Sequence, residues 1–189
     1  MGALRYLFGL GVILLLQGAL PAHAQTVAIQ SITAYALGNV ASAPVSNTVF
    51  TATPAGAVTA TGGGARISTG LVRATVTIRC TGTAAQCNAA TINVRVGSTG
   101  SPTGRAAAMS GFTAASGTAT VVSAPAAGDP ISFQISPIPR NTNRTFFIGG
   151  NFPIVGDSGA GTWGAATSPL NVRVAVSPAT PASPGTDSS

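Results

Sequence analysis

The ten residues Leu71-Val72-Arg73-Ala74-Thr75-Val76-Thr77-Ile78-Arg79-Cys80 alternate without a break. Val72, Ala74, Val76, Ile78 and Cys80 fall on one side, and Arg73, Thr75, Thr77 and Arg79 on the other. Successive side chains of an extended chain point to opposite faces, so a period of two fits a strand with one buried and one wet face. Thr91-Ile92-Asn93-Val94-Arg95-Val96 repeats the pattern, with Ile92, Val94 and Val96 inward, and Leu170 to Val176 repeats it again. The first two segments predict an antiparallel hairpin with arginine on the wet face of each partner.

Other segments extend the same reading. Ile131–Ile135 and Thr118–Val122 are strand candidates, Thr26–Ile29 and Thr48–Thr51 are weaker ones, and Ala57–Thr61 leads into a Gly62-Gly63-Gly64 loop. Thr145–Ile148 and Phe152–Val155 read as one strand broken at Gly149-Gly150, where paired glycines suggest a bulge or a tight crossing. No stretch combines helical periodicity with caps, although Arg105 to Met109 would make one short turn. Many short strands with Gly, Pro and Asn between them point to an all-β sandwich or barrel.

Met1 to Ala24 has the three parts of a secretory signal. Arg5 supplies the positive region, Leu7 to Leu16 the apolar region, and Ala22-His23-Ala24 a small-x-small cleavage site, which makes Gln25 the new N-terminus. A membrane anchor is the competing reading, but ten apolar residues fall short of the ~20 that a spanning helix needs. The expected organisation is residues 1–24 as signal peptide, 25–177 as a single β-sandwich domain, and 178–189 as a disordered Pro/Ser-rich tail. The protein is expected to be exported, to the periplasm, the outer surface or the medium.

Removal of those 24 residues from the 189 leaves 165, with eight arginines, three aspartates (Asp129, Asp157, Asp187) and no Lys, Glu or His. General acid–base catalysis, activated nucleophiles and metal sites all draw on the residue types that are missing. No catalytic, cofactor-binding or metal residue is therefore assigned, and the chain is expected not to be an enzyme. The eight arginines stand singly, mostly at alternating strand positions. A solvated sheet face explains them, and attraction to anionic cell-surface polymers or lipid head groups is the competing reading. Nothing suggests a nucleic-acid partner, because such proteins cluster their charge and interleave aromatics.

Cys80 and Cys87 are the only cysteines. An even count in an exported chain favours a disulfide, here pinning the loop of the expected hairpin. A metal site would need further ligands, and a redox site a Cys-x-x-Cys spacing. Gly62-Gly63-Gly64-Ala65-Arg66 lacks the Lys-Ser/Thr of a phosphate loop and reads as a hairpin loop. Asp129 and Asp157 sit in Gly-flanked turns, and Asn143-Arg144-Thr145 matches a glycan acceptor by pattern only. Trp163 and Phe152 are the candidate ligand contacts, as stacking surfaces for a sugar ring, with aromatic anchors of the core as the alternative.

Two groups of residues carry a family resemblance. One is Leu37-Gly38-Asn39-Val40 with Thr51 to Gly63; the other is Phe147-Ile148-Gly149-Gly150-Asn151-Phe152-Pro153-Ile154 with Gly159-Ala160-Gly161-Thr162-Trp163 and the closing strand Val172 to Val176. They resemble the bacterial domain of unknown function 4402 family, which is similar in turn to spore-coat U and fimbrial-subunit domains. Trp163 stands where that family commonly has Tyr, the Cys80–Cys87 pair is not a usual feature of it, and a Pro/Ser tail follows the last strand. The resemblance implies an immunoglobulin-like, exported, non-catalytic surface domain, pilus- or adhesin-subunit-like. Its partners would be copies of itself or other surface subunits, joined by β-strand addition, with Gln25 to Leu37 as donor or first strand. A secreted carbohydrate- or ligand-binding module is the alternative.

Overall fold

A computed structural model describes residues 27–67, 70–98, 103–104, 106–123, 125–156, 163–168 and 170–176. The alternation at Leu71–Cys80 becomes the strand Ala74–Cys80, in which Ala74, Val76, Ile78 and Cys80 are buried. The strand is shorter than the pattern. Val72, expected inward, is 43% exposed and makes only an isolated bridge to Ala36.

In chain order the strands are β1 (Val27–Thr33), β2 (Tyr35–Ala41), β3 (Thr48–Ala52), β4 (Val58–Thr61), β5 (Ala65–Arg66) and β6 (Ala74–Cys80). A helix α1 (Ala84–Ala89) follows, then β7 (Ile92–Ser98), β8 (Thr103–Gly104), β9 (Ser110–Ser116) and β10 (Ile131–Ile135). The last three are β11 (Asn143–Ile154), β12 (Trp163–Ser168) and β13 (Leu170–Val176). Every pairing between these strands is antiparallel. The fold is an all-β sandwich. One layer is a six-stranded sheet, β1-β6-β11-β3-β4 with β9 also on β11. Two separate sheets lie opposite it, the three-stranded β10-β7-β13 and the four-stranded β5-β2-β12-β8, with Phe133 of β10 and Tyr35 of β2 both meeting rings of β11.

The expected hairpin between the two arginine-bearing strands does not form. β6 pairs with β1 and β11, whereas β7 pairs with β10 and β13 in the opposite layer. Two strands that each bury one face can satisfy that need across the core as well as side by side, and here they do so across it. The segment between them is a crossover containing α1. That helix begins with a capping box: the Gln86 N–H donates to Thr83 Oγ1 at 3.3 Å, and the Thr83 N–H donates to Gln86 Oε1 at 2.9 Å. The Cys80–Cys87 disulfide is present, with the Cα atoms 5.8 Å apart. It ties the end of β6 to α1 and not, as expected, across a hairpin loop.

Two further expectations fail in instructive ways. Residues 106–109 are not helical; Ala106 instead bridges Ile154. Thr118–Val122 is not a strand. It wraps the ends of neighbouring strands, with the Ala119 N–H donating to the Thr145 carbonyl and the Val122 N–H to the Gln134 carbonyl. The nearby strand is β9, where Phe112 and Ala114 are the buried alternating pair.

The segment expected to break at Gly149-Gly150 is a single strand, β11, of 12 residues. Residues 143–148 pair with β6, residues 150–154 pair with β3, and β9 lies along the opposite edge. The glycines mark the point where β11 exchanges one partner for the next, and the β9 pairing shifts register there. A Cβ on Gly149 would collide with the Ala52 carbonyl oxygen and with Pro54 at 2.7 Å. Glycine allows β3 and β11 to approach this closely.

Two aromatic pairs carry β11 onto the second layer. Phe146 meets Phe133 of β10 edge-on at 5.5 Å, and Phe152 meets Tyr35 of β2 at 6.1 Å. All four rings are buried in one continuous core. Gly149→Ala should therefore destabilise the fold by about 1–3 kcal/mol, the usual range for forcing atoms into a filled site. Urea denaturation of wild type and variant measures it, and equal midpoints would refute this reading of β11.

Candidate functional site

Phe152, one of the two aromatic residues expected to meet a ligand, is 0% exposed. It faces inward from β11 against Tyr35, so it is an anchor of the core and no platform for a sugar. Its partner in that expectation, Trp163, opens β12 opposite Ala41. The Trp163 side chain lies outside the described residues, as do the cleavage site at Ala24 and Gln25, Asp157, and the tail 178–189.

Asp129 is exposed in the turn entering β10, and Asn143 is exposed at the start of β11, opposite Arg79. Among the described residues no group of three or more His, Cys, Asp or Glu is placed to hold a metal ion. No helix among them is long and apolar enough to cross a membrane. The Gly62–Gly64 turn is packed closely against its neighbours: the Gly64 N–H donates to the buried Thr48 hydroxyl at 2.7 Å, and a Cβ on Gly62 would lie 2.8 Å from the Asn47 carbonyl oxygen. The turn joins β4 to β5 and offers no row of amides to a phosphate.

Two chemical features escape a reading by sequence pattern alone. The first is inside. Tyr35 is fully buried and its hydroxyl has no hydrogen-bond partner. Burial pushes its pKa above the usual 10, opposed by the positive charge of Arg66. A buried hydroxyl without a partner costs free energy that a phenyl ring would not.

The second is on the outer face of the layer containing β6. Thr75, Thr77 and Arg79 point outward there, level with Phe147, Thr145 and Asn143 of β11. The Arg73 guanidinium lies over the Phe147 ring with its carbon 3.5 Å from the centroid. Thr75 donates to the Arg73 carbonyl at 3.2 Å, and the Thr118 and Thr145 hydroxyls are bonded to each other at 3.2 Å. The signal for this face was the spacing Arg-x-Thr-x-Thr-x-Arg. It reads as a solvated face until the stacking of Arg73 is seen.

Comparison of the chain with protein-family models, with curated proteins and with solved structures finds no match.

Tyr35→Phe should raise stability by about 1–3 kcal/mol, since it removes a buried unpartnered hydroxyl while keeping the ring. A raised folded-state pKa means that the folded protein holds the proton more tightly than the unfolded one. Its stability is therefore intact below about pH 10 and falls as the pH rises beyond that. Denaturation curves between pH 7 and pH 11 should show this alkaline loss in wild type and a smaller one in Tyr35→Phe. A variant less stable than wild type at pH 7 would contradict the assignment.

Proposed function

We propose that this chain is an exported, non-catalytic structural or assembly protein of the bacterial cell surface, of the pilus- or adhesin-subunit kind, which joins its neighbours by β-strand addition. The observation that carries the reading is the edge at β4. A sheet edge presents unpaired N–H and C=O groups, and proteins ordinarily blunt it with charge, proline, bulges or covering loops. Two other edges of this fold, those of β9 and β10, are covered. Phe112 of β9 exchanges hydrogen bonds with Gly128, at 2.6 and 3.2 Å. The outer edge of β10 meets the Thr120–Val122 segment, with the Ser136 N–H donating to the Thr120 carbonyl at 2.9 Å.

β4 has no such cover among the described residues. It ends its sheet beyond β3, its residues Thr59, Ala60 and Thr61 are exposed, and it carries neither charge nor proline. An added strand would continue the layer through main-chain hydrogen bonds, with side-chain pockets giving the choice of partner. The leader-like pattern of residues 1–24 and the resemblance to the domain of unknown function 4402 family support export and a place at the surface.

The N-terminal segment suits the role of first strand better than that of donor. β1 is paired along β6 within the chain, and Tyr35 and Leu37 beyond it are buried in the core. Withdrawing this segment would open the core, so the incoming strand belongs to another subunit.

The purified chain beginning at Gln25 should form concentration-dependent oligomers in sedimentation velocity. Thr59→Lys with Thr61→Lys should abolish them while leaving the melting temperature within a few degrees, because these side chains are exposed. A chain that stays monomeric at every concentration, or oligomers that survive both lysines, would overturn strand addition at β4.

A further inference from the structure

We propose that the outer face of β6 and its neighbours is a binding site for an acidic polysaccharide. Anionic groups of the polymer would lie on Arg73 and Arg79, and sugar hydroxyls would lie against the threonines between them. The site is independent of strand addition at β4.

The two arginines mark the ends of the site. They lie six residues apart along one strand direction, roughly 20 Å at about 3.3 Å per residue. Both are held in place before any ligand arrives. Arg73 is stacked on Phe147, and Arg79 is half-buried with its Nε atom covered and without an acceptor. A cation whose side chain is already ordered loses less entropy on binding than one that sways in solvent. The buried Nε is a cost to the fold that a purely structural role for Arg79 leaves unexplained.

Between the arginines the face presents hydroxyl groups. Thr75 and Thr77 face outward on β6, with Thr33 opposite Thr75 and Ser31 opposite Thr77 on β1. Short donor–acceptor groups on a rigid sheet suit a ligand made of hydroxyl-bearing rings.

Charge decides what kind of polymer is complementary. The face carries two arginines and no carboxylate, and the single acidic residue among the described ones, Asp129, lies beside β10 in the other layer. A second copy of the chain is a poor complement, since from Gln25 onward it has only three aspartates against eight arginines. Single-stranded nucleic acid needs aromatic faces for its bases, and the Phe147 ring is taken by Arg73. A lipid surface would require apolar side chains to insert beside the cations, and the outward positions between Arg73 and Arg79 are threonines.

The test is calorimetric titration of the chain beginning at Gln25 with polygalacturonate, dextran sulfate and neutral dextran, and separately with DNA and phosphatidylserine vesicles. Saturable binding of at least one acidic polysaccharide is expected, weakening as salt rises. Which of the two binds distinguishes carboxylate from sulfate. Arg79→Gln should weaken binding about tenfold, as loss of one charge-assisted contact does, and Thr77→Val should weaken it roughly threefold. Arg95→Gln removes the same charge from β7 in the opposite layer and should change affinity less than twofold. Unchanged melting curves establish that the variants are folded. The proposal is overturned if neither acidic polymer binds, if neutral dextran binds equally, if Arg95→Gln is as damaging as Arg79→Gln, or if DNA or vesicles bind more tightly through the same arginines.

Discussion

The fold depends on β11 and on what its twelve residues must satisfy at once. One edge of this strand serves β6 and then β3, and the other serves β9. Its inward residues Phe146, Ile148, Phe152 and Ile154 are all fully buried, and two of them carry the aromatic contacts to the opposite layer. Backbone pairing and core packing are usually shared among several strands of a sandwich. Here one strand concentrates them, and Gly149-Gly150 is the local adjustment that makes the exchange of partners sterically feasible. Bulky residues there would separate β3 from β11 and leave the backbone groups of both without partners.

The second constraint is the passage between layers. Only Ala34 separates β1 from β2, yet the two strands belong to different layers. β6 and β7 are likewise divided between layers, with the crossover closed by the disulfide and the capped helix. For a disulfide spanning so short a loop, chain-entropy arguments give a stabilisation of about 2–3 kcal/mol. The rigid outer face that carries Arg73 and Arg79 follows from this, because β6 is fixed along both edges and anchored at its end by Cys80. Any ligand on that face meets a surface whose shape is already set.

Much of this architecture was legible in the sequence, for a physical reason. Wherever one strand face is buried and the other wet, the period of two is written directly into side-chain polarity, as in β6, β7 and β10. Which strands pair is written there far more weakly. The inward residues of β6 and β7 look the same whether the two strands are neighbours or face each other across the core, so the hairpin reading failed. The helix was missed because six residues are too few to show a helical period, although Thr83 and Gln86 stood at the spacing of a capping box. Phe152 was ambiguous for a related reason: an aromatic next to a Gly-rich segment can serve a ligand or a core, and only burial decides. The stacking of Arg73 on Phe147 joins residues 74 apart in the chain, which no local pattern reveals.

Because the fold rests on β11, amide hydrogen exchange of the native protein tests the role of that strand most directly. Amides that open only with global unfolding exchange slowest, and those of an uncovered edge exchange by local opening. The amides of Phe146, Phe147, Ile148 and Asn151 should be among the slowest in the molecule, and those of Thr59 to Thr61 in β4 among the fastest within strands. Exchange in β11 as fast as in β4 would contradict the central place given to that strand.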